Sequence, residues 1–283
     1  MHEEIKKFNT RVDILVEKGV EELLSEETYA LLSNSGVWIE DMGDDVIIKS
    51  YPEDVEAYME NLNKLKIGIK QMHIEKEEQQ DYGELTKKYF RPIRIDDITI
   101  IAPWNKRKGQ GAYIVIEPGM AFGTGRHEST RIMMKLMKQV HMIGKKVLDI
   151  GCGSAILSLC ATILGAKKVV AIDNDPDAIS SAQKNVDLNG MNNITLACAD
   201  LDDASGHYNI VLANLDIKTF TIFSGKIKTL VSKGGILIIS GVLFKDRKRV
   251  LTLFQPLTPV HEEKKNSWCG FMFRNDGQVS LKK

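Results

Sequence analysis

Along the first ninety residues, short apolar runs alternate with one or two stretches of helical spacing. Residues 8–16 alternate loosely enough for a strand, and residues 17–32 carry Leu23, Leu24, Tyr29, Leu31 and Leu32 at helical intervals. Residues 37–40 and 46–49 flank Met42-Gly43-Asp44-Asp45, a hairpin signal. Ser50-x-x-Glu53, with Pro52 in the first turn, reads as a capping box opening a helix that runs to about Lys66. Residues 66–73 then read as a strand. The resulting order, β-α-β-β-α-β, is the ferredoxin-like pattern and predicts a small α+β domain over residues 1–75. The polar run from Glu75 to Asp81 lacks apolar periodicity and is the best candidate for an inter-domain boundary. Residues 76–115 read as a linker with connecting strands at 93–101 and 112–116, joined by a basic turn.

From residue 116 onward the pattern changes to buried strands separated by helices. A helix is expected over 130–142 and a strand over 147–150, followed by a glycine turn and a helix from Ile156. Further strands are expected at 168–172, 194–198, 208–212 and 236–240, with helices at 177–188, 220–230 and 247–254. Residues 260–265 and 268–273 flank a turn and make a terminal antiparallel pair. Five parallel strands closed by a hairpin predict a seven-stranded Rossmann-like α/β domain over 116–283, in the methyltransferase variant of the doubly wound sheet.

The chemistry concentrates in Lys146–Ala155, K-V-L-D-I-G-C-G-S-A. A buried strand, a glycine turn and a helix start let the main chain approach a ligand closely. The dinucleotide fingerprint requires a third glycine where this chain has Ile156. The spacing is instead Asp149-x-Gly151-x-Gly153-x-Ala155, with an acid inside the motif. A carboxylate there repels a pyrophosphate but suits an ammonium group, which turns the reading from NAD to S-adenosylmethionine. Asp149 is expected to hold the donor's amino end, or else to cap the helix. Asp173 lies 22 residues beyond Gly151, where an acid at the end of the second strand meets ribose hydroxyls. Helix capping is its bland alternative, although Asp175 before Pro176 fits that role better. Asp200 is a candidate for the adenine amino group with Leu201 against the ring, or else an ordinary surface acid. Asn214, closing the fourth strand near the switch point, is the expected catalytic residue. It would accept hydrogen bonds from an amine or orient the donor. Residues 117–130 hold three glycines and several hydroxyl side chains, a pliable loop that covers a ligand or turns a corner; His127 within it reads as a structural hydrogen bonder.

Composition narrows the class. The chain has 283 residues, of which 43% are hydrophobic, ample for a packed core in one large or two modest domains. No apolar run approaches the roughly 20 residues of a membrane span, and the charged start is no signal peptide, so a cytoplasmic protein is expected. Cys152, Cys160, Cys198 and Cys269 share no metal-like spacing, and no metal is expected. Net charge is zero but segregated: residues 1–90 hold 21 acidic against 11 basic side chains, a net of −10, and the remainder carries +10. An acidic end steers a basic partner by long-range attraction, unless both halves are simply solvated. No basic cluster interleaved with aromatics points to nucleic acid. A monomer is expected.

With these residues in view, the chain resembles the bacterial ribosomal protein L-eleven methyltransferase family (PrmA), within the class I S-adenosylmethionine-dependent enzymes. The resemblance rests on Pro118-Gly119-Met120-Ala121-Phe122-Gly123-Thr124-Gly125-x-His127-x-x-Thr130, followed by residues 147–157, Asp173 and Ala213-Asn214-Leu215. It is strong over about residues 115–242 and weaker over the N-terminal unit, where Tyr89-Phe90-x-Pro92 agrees. It implies donor contacts at Thr130, Gly151, Asp173 and Asn214, with Phe122 and Gly123 in a loop closing over the donor. It also implies an N-terminal domain that captures a basic ribosomal protein, whose lysine or N-terminal amines receive the methyl group while S-adenosylhomocysteine leaves. The family's usual third glycine in the donor turn is Ala155 here, a replacement that requires negative φ at that position. Two alternatives stand beside this reading: a class I methyltransferase acting on another protein or a small amine, and a non-catalytic S-adenosylmethionine-binding adaptor on the ribosome.

Overall fold

The computed structural model describes residues 8–20, 37–52, 54–65, 67–78, 92–107, 111–117 and 127–277. The chain divides into two compact units, 1–88 and 89–283.

In the first unit, strands β1 (Phe8–Glu17), β2 (Val37–Asp41), β3 (Asp45–Ser50) and β4 (Ile69–Glu78) form an antiparallel sheet of order β2-β3-β1-β4. Alternation along β1 and β3 turns Val12, Ile14, Val16, Val46 and Ile48 to one face, where helix α1 (Val55–Lys64) adds Tyr58 and Leu62. This is the ferredoxin-like order; the helix expected at 17–32 lies outside the described residues beyond Val20. Two details differ from expectation. Ser50 is the last residue of β3, fully buried, with its hydroxyl 3.2 Å from that of Tyr58. The cap of α1 is Asp54, which accepts from the N–H groups of Glu56 and Ala57 at 2.9 and 3.1 Å. Strand β4 starts later and runs further than expected, through Glu78, because it pairs with β1 along its whole length from Val16↔Ile69 to Phe8↔Glu78. Main-chain pairing on a sheet edge needs no apolar side chains, so part of the polar run expected as a boundary is strand.

The second unit opens with a three-stranded sheet, β5 (Ile93–Ile95), β6 (Ile98–Ile101) and β7 (Ala112–Val115). The single strand expected over 93–101 is broken at Asp96-Asp97, where Asp96 adopts φ +53° and reverses the chain. A seven-stranded sheet follows: β8 (Lys146–Ile150), β9 (Lys168–Asp173), β10 (Ile194–Cys198), β11 (Tyr208–Asn214), β12 (Val231–Leu243), β13 (Thr258–Lys265) and β14 (Trp268–Arg274). Its order is β10-β9-β8-β11-β12-β14-β13, parallel except for β14. Helices α2 (Glu128–Lys138), α3 (Ile156–Ile163) and α4 (Pro176–Asn189) pack into one core with Val147; α5 (Ile217–Leu230) and α6 (Arg247–Leu253) pack into a second with Leu148 and Ile150. Successive residues of β8 thus feed opposite layers, as a strand covered on both faces must. Strand β12 begins five residues earlier than expected, since Val231 pairs with Tyr208 before a register shift at Ser232–Gly235 brings Ile236 opposite Ile210. Among the described residues no helix is long and apolar enough to cross a membrane.

Helix α2 lies close against β14 at Gly270. A Cβ there would stand 2.8 Å from the Ile239 carbonyl oxygen and 3.2 Å from Leu136 Cδ1. Gly270→Ala should therefore destabilise the protein by about 1–3 kcal/mol through overpacking, read as a lowered thermal midpoint; an unchanged midpoint would contradict this packing.

Candidate functional site

The strands β8, β9, β10 and β11 end side by side. Ile150 pairs with Ala213 and Ile172, and Cys198 pairs with Asp173, so Gly151, Asp173 and Asn214 follow one another along the carboxyl edge. Here β8 and β11 diverge from the order of the chain, which makes this edge the switch point of the sheet.

The turn leaving β8 has an unusual main chain. Gly151, Gly153 and Ala155 have φ of +64°, +51° and +62°, so every second residue is left-handed. The negative φ expected for Ala155 is not found. Its N–H donates to the Cys152 carbonyl at 2.8 Å, and its methyl is fully buried. An L-residue in this region costs about 1–2 kcal/mol, and alanine bears it with the smallest possible Cβ. Side chains from other elements fix the turn: Asp173 Oδ2 accepts from the Gly153 N–H at 2.9 Å, and Asn185 Nδ2 donates to the Ser154 carbonyl at 3.0 Å. Leu215, the residue after Asn214, packs over Gly151 so closely that a Cβ there would meet its Cδ2 at 2.6 Å. The main chain of Leu215 in turn rests on Gly241, where a Cβ would lie 2.5 Å from its carbonyl oxygen.

Asp149 lies on the same face of β8 as Val147 and is fully buried under α3. Ser158 donates its hydroxyl to Oδ2 at 2.7 Å and also bonds through its main chain. Oδ1 is buried without a hydrogen-bond partner, and so is Oδ1 of Asn214. Desolvation pushes the Asp149 carboxyl up to about 7, with the nearby charge of Asp173 adding to the rise and the Ser158 bonds opposing it. Both readings of Asp149 therefore have an oxygen: one caps α3, the other is open to a donor. Buried polar atoms rarely go unpartnered: the Asp149 oxygen calls for N–H donors, best a cationic amine, and the Asn214 oxygen for a donor of its own.

The remaining expected residues fall as follows. Asp173 Oδ1 accepts from the Asp175 N–H at 3.1 Å, while Asp175 caps α4 ahead of Pro176 as the sequence indicated. The Ala199 N–H donates to the Asp173 carbonyl at 2.9 Å, bringing the end of β10 to Asp173. Asp200 is exposed, and Leu201 packs partly buried against the second core. Thr130 is buried in the first turn of α2. His127 caps that helix, its Nδ1 accepting from the Ser129 N–H at 3.3 Å and its ring edge-on to Trp268 with centroids 4.4 Å apart. Phe122 and Gly123 lie outside the described residues. Sequence reasoning missed Ser158, Asn185, Leu215 and Gly241. A lone hydroxyl within I-L-S-L-C-A was a usable signal for Ser158, and Asn185 with Asn189 four residues on was one for α4. Among the described residues, no group of three or more His, Cys, Asp or Glu could hold a metal ion.

A family model described as ribosomal protein L11 methyltransferase (PrmA) matches residues 2–276. The chain belongs to that family. Its relatives include the ribosomal protein L11 methyltransferase of Clostridium perfringens, 36% identical over 229 residues that span 75% of this chain and 73% of the relative. That of Campylobacter jejuni is 34% identical over 208 residues, 74% of each chain. The crystal structure of a ribosomal protein L11 methylase from Lactobacillus delbrueckii subsp. bulgaricus shares the fold, with a TM-score of 0.63 at 23% identity, covering 66% of this chain and all of that one. The family is one of class I S-adenosylmethionine-dependent protein methyltransferases, and the donor suits the site on physical grounds. Its α-amino group would give the buried Asp149 oxygen the N–H donors it lacks, and the bare Gly151–Gly153 main chain leaves room for close approach.

A carboxyl raised above its unfolded value holds its proton better in the folded state than in the unfolded state. The stability it contributes is complete below about pH 4 and is lost as pH rises to about 7. Urea denaturation across that window should show Asp149→Asn losing less stability with rising pH than the unsubstituted protein. The difference in slope should approach, at most, about 1.4 kcal/mol per pH unit; parallel profiles would refute the raised carboxyl.

Proposed function

We propose that this chain methylates amino groups of ribosomal protein L11, lysine ε-amines or the N-terminal amine, acting as a monomer in the cytoplasm. The observation that carries the reading is the pair of buried, unpartnered oxygens at neighbouring strand ends, Asp149 Oδ1 and Asn214 Oδ1. In this reading Asp149 receives the donor's amino end. Asp173 receives the ribose hydroxyls with the lone pairs not engaged by Gly153 and Asp175. Gly151 and Gly153 leave room for close approach, Leu201 lies against the adenine with Asp200 at its amino group, and Thr130 joins them; a donor role for Phe122 and Gly123 rests on the family resemblance alone. The names of the family and of its relatives support the substrate, and the −10 charge of residues 1–90 suits capture of a basic protein.

S-adenosylmethionine supplies a methyl carbon already activated by its sulfonium. The protein's task is then to orient an uncharged amine in line with it and exclude water. A lysine amine has an ordinary pKa near 10.4 and must shed a proton before it attacks. Asn214 Oδ1 is suited to accept an N–H from that amine and aim its lone pair. It is held there because Asn214 closes β11 opposite Ser240, with the Leu215 N–H donating to the Ser240 carbonyl at 3.1 Å.

The test is transfer of radiolabelled methyl from S-adenosylmethionine into purified ribosomal protein L11. Label in that protein is expected; label only in other proteins or small amines, or none, would overturn the assignment. Asn214→Ala should lower turnover roughly a hundredfold with the thermal midpoint unchanged, and an undiminished rate would remove Asn214 from the chemistry.

A further inference from the structure

Two asparagines on α4 turn their carboxamides toward main chain that has no partner in the large sheet. Asn189 accepts from the Val115 N–H at 2.8 Å and donates to the Val115 carbonyl at 2.7 Å, standing in for a neighbouring strand at the end of β7. Asn185, one helical turn earlier and fully buried, divides its carboxamide between two segments. Its Oδ1 accepts from the Glu117 N–H at 2.8 Å, and its Nδ2 donates to the Ser154 carbonyl at 3.0 Å. The orientation of the group is settled by these partners, since one is a donor and the other an acceptor. Ser154 lies between Gly153 and Ala155, two of the three left-handed residues. Strained main chain persists only where surrounding bonds over-determine it. The Asp173 carboxylate secures the peptide group between Cys152 and Gly153, and the Asn185 carboxamide the one between Ser154 and Ala155.

We propose that Asn185 is a positioning residue for methyl-donor binding: it holds the turn Gly151–Ala155 in its left-handed form and ties it to Glu117, the residue that leads into the glycine-rich segment 118–126. The proposal rests on the donor reading above. Removing the side chain leaves the buried Ser154 carbonyl without its partner, releases the Glu117 N–H, and frees Ala155 to relax toward negative φ, closing the space over Gly151 and Gly153. Asn189 serves as an internal control: its Nδ2 also donates to the Asn185 carbonyl and it secures the end of β7, two residues before Glu117, yet it makes no bond to the turn.

Isothermal titration with S-adenosylmethionine and steady-state kinetics test this on the full chain. Asn185→Ala should weaken donor binding roughly tenfold and raise the donor KM by a similar factor, with the acceptor KM unchanged. Asn189→Ala should lower the thermal midpoint by a comparable amount while leaving donor affinity within about twofold. Adding Ala155→Gly to Asn185→Ala should restore most of the lost affinity, because glycine holds positive φ without a clamp. Equal weakening by both asparagine variants, in proportion to their loss of stability, would overturn the proposal, as would unaltered affinity in Asn185→Ala or absence of rescue by glycine. If the unsubstituted chain gave no binding heat, the donor reading itself would fail, an outcome separate from these.

Discussion

A carboxylate enclosed among apolar side chains governs the carboxyl edge of this sheet. Asp149 shares its face of β8 with Val147, beneath the apolar α3, where Ser158 lends it a hydroxyl and the charge of Asp173 lies near. Isolating such a charge from water is costly unless partners arrive, and one hydroxyl with one main-chain N–H satisfies only one of its two oxygens. The carboxyl therefore rests close to its titration midpoint at neutral pH, held between ionisation and neutrality by burial on one side and Ser158 on the other. A cationic amine delivered to the second oxygen resolves that tension, and a pyrophosphate would worsen it.

The rest of the edge is arranged so that main chain, rather than side chain, lines the crevice. Three left-handed residues bend the turn sharply, and the polar groups that hold it come from β9 and α4 instead of from the turn itself. Leu215 caps this arrangement by lying over Gly151 while its own main chain rests on Gly241. Strands β8, β11 and β12 are thereby locked at their ends by steric contacts that allow no Cβ at two glycines.

Much of this was legible in the sequence, for identifiable reasons. Continuous apolar runs such as V-V-A-I in β9 and the Asp175-Pro176 cap of α4 are local signals, and the elements carrying them appear where expected. The acid within the glycine turn was enough to separate two ligand classes. Errors arose where tertiary pairing overrides local pattern. Ser50 looked like a cap but faces the core as the end of a strand, and the polar residues of β4 are recruited by β1. The Asp96-Asp97 turn left a signal that was passed over: Ile93 and Ile95 alternate, and Ile98 and Ile100 resume one position out of step. The left-handed Ala155 was misread, although a position where the family has glycine hinted at it; bonds from Asp173 and Asn185, residues distant in sequence, hold the neighbouring Gly153 and Ser154.

Strand β14 is the last of the described strands to be synthesised, yet it lies between β12 and β13. Until Arg274 has left the ribosome, one flank of β12 has no partner and β13 has nothing to join. Sheet completion is consequently a late event in the life of a nascent chain. A chain that stopped within residues 268–274 would leave β13 without the strand that joins it to β12.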